Sequence, residues 1–62
     1  MPSDETRRLL KTLGVAVTEY EDAVHSGSSS EEIRRRETQA RERLDEVRAL
    51  IERLRSEEDA SR

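Results

Sequence analysis

The chain holds a single histidine, His25, and it stands beside Ser26. A hydroxyl and an imidazole become a nucleophile–base pair only when a third group orients the base and a pocket receives the substrate. Neighbouring residues in one helical stretch do not supply that, so His25 reads as a cation in the last turn of a helix. Carboxylates are plentiful, but no Glu-x-x-His pair and no pair of histidines offers a metal site from a bundle core. There is no cysteine, which excludes disulfides and thiolate ligands. No Gly-rich phosphate loop is present. Ser28, Ser29 and Ser30 read as a turn and a helix cap, in a place where a phosphate group would be favoured. These residues point to no enzyme, no cofactor, no metal and no small-molecule substrate.

One pattern could carry binding. Arg34, Arg41, Arg48 and Arg55 recur every seventh residue and line one face of a helix. Such a line could meet phosphates along a groove, or an acidic protein. Asp45 and Glu52 stand between these arginines and are expected to pair with them, cancelling much of the field. The net charge is −3, and a single tyrosine is the whole aromatic content, so there is little to stack against bases. A salt-laced solvent face is the first reading of the line, an acidic partner the second, nucleic acid the third.

The element that carries the arginines runs from Ser29 to about residue 57. With Ile33 at heptad position d, Glu37, Leu44, Ile51 and Glu58 fall at a, and Ala40, Val47 and Leu54 at d. This is a coiled-coil period. Ser29 followed by Glu32 makes a capping box, and Glu31–Arg35, Glu32–Arg36 and Glu37–Arg41 are supporting pairs. An earlier helix, about 4–25, starts at a Ser3 cap with Asp4 and Glu5 in its first turn. Its seam is Leu10, Leu13, Val17, Tyr20 and Val24, and Leu9, Ala16 and Ala23 form a second apolar column at position g. Gly14 sits mid-helix, which reads either as a tolerated solvent-facing residue or as room for an approaching helix or arginine stem. Gly27 closes the helix, leaving a turn at 26–29 and a tail at 58–62 expected to fray.

The two seams match across that turn. Facing residues have numbers summing to 57: Leu13 with Leu44, Val17 with Ala40, Tyr20 with Glu37. The Tyr20 hydroxyl is placed to donate to Glu37. The expected fold is therefore all-α, a single domain over 1–62 forming an antiparallel two-helix (αα) hairpin. In architecture alone it resembles the Rop-type plasmid regulators, hairpins that dimerise and bind RNA duplexes, and the small subunit of exonuclease VII.

Composition bounds the rest. Charged residues make up 44% of 62 residues, too polar and too short a chain to bury a sizeable core alone. A second copy or a larger protein is expected to supply the missing burial. The surface expected to receive it is Leu9, Ala16, Ala23 and Leu50 on the g side, with Ile51 and Leu54 near the open end. Arg36 and Arg43 flank this strip, and the competing expectation is that their stems roof it within one chain. No apolar run approaches a membrane span, and the default location is a soluble, cytoplasmic one. The expected role is a non-enzymatic interaction module or accessory subunit dimerising into a four-helix bundle. The alternative is a small dimeric nucleic-acid-binding regulator using the arginine line.

Overall fold

The computed structural model describes residues 3–61. Two helices, α1 (Asp4–His25) and α2 (Ser30–Ala60), pack side by side as an all-helical hairpin about 51 × 19 × 12 Å in extent. Helix α2 continues three residues past the expected end at 57, and of the tail expected to fray only Arg62 lies outside the described residues.

Each helix begins where a serine can satisfy its free amides. Ser3 accepts from the Thr6 N–H at 3.1 Å, and Ser29 accepts from the Glu32 N–H at 3.1 Å. The Ser29–Glu32 pairing is half of a capping box. The Glu32 carboxylate turns outward to Arg35 and Arg36 instead of back to the cap. Helix α1 closes through Gly27, whose φ of 75° lies in the left-handed region. That conformation lets the Ser28 N–H reach the Ala23 carbonyl at 3.1 Å, the long bond of a Schellman motif. A chain reversal follows within four residues, so the helices must run antiparallel.

The axial register agrees with the sum of 57. Leu13, Val17 and Tyr20 of α1 line one groove with Leu44, Ala40 and Glu37 of α2. The rotation of the helices about their own axes differs from expectation. The buried residues, among those described, are Ala16, Ala23 and Leu50, all at position g. Leu9, Leu13 and Tyr20 of α1, and Ile33, Ala40 and Val47 of α2, are half-buried beside them. The hairpin is thus closed by its g and d columns, and the a column is turned outward.

Two physical reasons favour this rotation. Alanines at 16 and 23 leave room for the second helix, Arg43 lines a cleft with Ala16, and Arg43 and Arg36 are each half-buried with their charges paired. Position a of α2 also carries Glu37 and Glu58. Burying those carboxylates in an apolar seam would cost several kcal/mol each, on the order given for unpaired buried charge. Turning column a outward leaves Glu37 at the lip of the groove, 3.0 Å from Arg41.

Candidate functional site

The open face of the hairpin follows from that rotation. Leu10, Val17 and Val24 of α1 and Leu44, Ile51 and Leu54 of α2 are large apolar residues that remain exposed. All but Leu54 are at position a, and Leu54 is at d. They form one ribbon along both helices, with the Leu13–Val17–Tyr20 groove at its middle. Val15 is exposed as well but lines a different cleft, with Ala16, Gln39 and Arg43.

The residues expected to receive a partner divide. Leu9, Ala16, Ala23 and Leu50 do not face a free surface; they close the hairpin against its own second helix. Leu50 is 7% exposed, and it shares a cleft with Leu9. Of the two arginines expected to flank the strip, Arg43 lines a cleft with Ala16, and Arg36 is half-buried in its ion pairs with Glu32 and Glu19. Ile51 and Leu54 do stand open, at 57% and 51% exposure. The residues the sequence reading missed are Leu10, Val17, Val24 and Leu44, which it had assigned to the internal seam. The signal that pointed to them was Glu37 and Glu58 in the same heptad column.

The arginine line borders this face. Arg41 lines the groove and pairs with Glu37. Arg34, Arg48 and Arg55 are exposed, and none has an ion-pair partner among the described residues. The expected neutralisation by Asp45 and Glu52 is therefore not formed. Those acids sit three or four residues from the arginines, but the side chains extend to water instead. Tyr20 and Glu37 share the groove as expected. Yet the Glu37 carboxylate accepts from Arg41, and the tyrosine hydroxyl makes no hydrogen bond among the described residues.

Cross-helix charge pairs fix the two ends. Near the turn, Arg36 bridges Glu32 at 2.8 Å, one of the expected supporting pairs, and reaches across to Glu19 at 3.4 Å. At the open end Arg53 forms a two-pronged pair with Glu5, an interaction not anticipated from the sequence. The Arg53 hydrogen bonds, opposed by some desolvation and reinforced by the charges of Arg53 and Arg8, hold the Glu5 carboxyl below its ordinary value of 4.5.

Ser26 Oγ bonds the Ala23 carbonyl at 3.4 Å and lies 3.1 Å from Ser28 Oγ, so it is not paired with His25. Among the described residues no group of three His, Cys, Asp or Glu could hold a metal ion, and no helix is long and apolar enough to cross a membrane. What the arrangement offers is a flat apolar ribbon bordered on one side by arginines. In comparisons by sequence and by fold, no family, no curated protein and no solved structure matches the chain.

Proposed function

We propose that this chain is a non-enzymatic protein–protein interaction module that pairs with a second copy of itself through the open a-column face, forming a four-helix bundle. One observation carries the reading. The hairpin exposes 5171 Å², whereas a compact monomer of 7.2 kDa exposes about 4,100 Å². The excess of about 1,000 Å² is close to what each partner contributes to a standard-size interface, about 800 Å². The six apolar residues of the ribbon, 42–57% exposed, lie within that surface, and an apolar patch of this kind marks an interface.

The test is sedimentation of the wild type beside Val17→Glu and Ile51→Glu. Both substitutions put a charge on the ribbon and leave Ala16, Ala23 and Leu50 untouched. The expected wild-type mass is twice 7.2 kDa, and each variant should sediment as a monomer with reduced helicity. A wild type that sediments as a helical monomer would remove self-association and leave the ribbon to a larger protein, as in an accessory subunit.

A second reading rests on the exposed guanidinium groups of Arg34, Arg48 and Arg55, which have no ion-pair partner among the described residues. A dimer carrying two such lines would grip the backbone of duplex RNA or DNA. Retention on a duplex column that weakens steeply with salt would support it. Unchanged elution at low salt would end it.

A further inference from the structure

We infer that the two hairpins pair with their turns at the same end, so that α1 of one copy lies against α2 of the other. This rests on the self-association just proposed and adds its geometry. Two-fold pairing of a hairpin offers two orders. With turns at opposite ends, each helix meets its own copy. With turns together, each meets the other helix.

The rims of the ribbon discriminate between them. On α2 the rim is Arg34, Arg41, Arg48 and Arg55; on α1 it is Arg7, Gly14 and Glu21. With turns at opposite ends, α2 faces α2, and four arginines confront four arginines along the contact. Like charges so placed are destabilising. With turns together, residues of equal height meet across the copies. Glu21 then faces the partner's Arg34, which has no ion-pair partner among the described residues of its own chain. By the same offset Arg7 falls level with the partner's Arg48, one like-charged contact at each end against the full line of arginines in the other order, while one rank further out Lys11 faces the partner's Asp45. Gly14 falls level with the partner's Arg41. Nothing in its own chain lies within 4 Å of where a β-carbon would stand at Gly14, so an arginine stem has room to pass.

The groove gives an independent argument. Glu37 is the acidic residue of the groove at the ribbon's middle, where Arg41 also stands. With turns together it lies level with the partner's Tyr20, whose hydroxyl has no partner in its own chain among the described residues and can donate to the carboxylate that Arg41 already holds. With turns opposed, the overlap that covers most of both faces sets Glu37 against the partner's Ile51. Against an isoleucine the carboxylate gains no bond beyond the one Arg41 already gives it.

The experiment mixes two charge-reversed chains, Glu21→Arg and Arg34→Glu. Alone, each places like charges at both Glu21–Arg34 contacts of its own dimer. Mixed, the two form a heterodimer in which both contacts are again of opposite sign. The expected result by sedimentation is weakened association of each variant alone and recovery to the wild-type level in the equimolar mixture, with helicity rising on mixing. Reversal within one chain cannot produce that recovery, because each chain keeps its own mismatch. A mixture that associates no better than its components, beside a dimeric wild type, overturns the order of the hairpins. A monomeric wild type overturns self-association itself. Cysteine cross-linking supplies a second measurement in this cysteine-free chain. Oxidation of mixed Glu21→Cys and Arg34→Cys chains should give the hetero-disulfide, and preferential joining of Arg41→Cys to Arg48→Cys chains would reverse the assignment.

Discussion

Glu5, in the first turn of α1, and Arg53, 48 residues later in α2, form a two-pronged ion pair that ties the open end of the hairpin. The helices have no loop at that end, so this pair does there what the turn does at the other. Both side chains are partly exposed, at 40% and 53%, so salt will weaken the tie.

The pair predicts an acid-sensitive end. The Glu5 carboxyl is held below its ordinary value in the folded chain, chiefly by its hydrogen bonds to Arg53. A depressed carboxyl contributes stability that is present above its unfolded pKa and is lost as pH falls through the folded one. Urea unfolding should therefore show a loss of stability below about the normal glutamate range, and Glu5→Gln should remove part of that loss while lowering stability at neutral pH. An identical acid limb in wild type and Glu5→Gln would assign the sensitivity to other carboxylates.

Closure through column g predicts that its large residue resists truncation and its small residues resist enlargement. Leu50→Ala should destabilise by roughly 2–5 kcal/mol, the range for a buried leucine. Ala16→Leu should also destabilise, by about 1–3 kcal/mol, since the added bulk forces the helices apart. Chemical denaturation with far-UV circular dichroism reads both. A stabilising Ala16→Leu would mean that Ala16 does not lie between the helices.

Leu44 tests coverage of the open face. It is 42% exposed in the single hairpin, so its truncation there removes only part of a leucine's burial. In a four-helix bundle the same change costs roughly 2–5 kcal/mol and couples to Leu13→Ala in a double-mutant cycle, because the two share the groove. A loss well under about 1 kcal/mol would show the face to be bare in solution.

The turn is the fourth test. Ser29→Ala removes the cap of α2 and should cost about 1 kcal/mol. Gly27→Ala forces a side chain into the left-handed region at φ 75° and should cost about 1–2 kcal/mol. Both are read by thermal unfolding. A neutral Gly27→Ala would imply that the α1 terminus rearranges at little cost.

What the sequence determined by itself was where the helices start, where they turn and at what height they face each other. Ser3 and Ser29 start the helices because their hydroxyls satisfy free amides, and Gly27 stops the first because it tolerates positive φ. The heptad spacing set the height at which Leu13 stands by Leu44 and Val17 by Ala40. The rotation about the helix axes was not determined in the same way. Helix α1 carries three apolar columns, at g, d and a, and a period of seven is satisfied whether the hairpin closes on d with a or on d with g. That choice belongs to the pair of helices together. Ala16 and Ala23 leave room that matters only where a second helix takes it, and Glu37 resists burial only when a second helix would take its water away. Those terms exist between residues on different helices, so the tertiary structure alone settled that Leu50 goes inside and Leu44, Ile51 and Leu54 stay out.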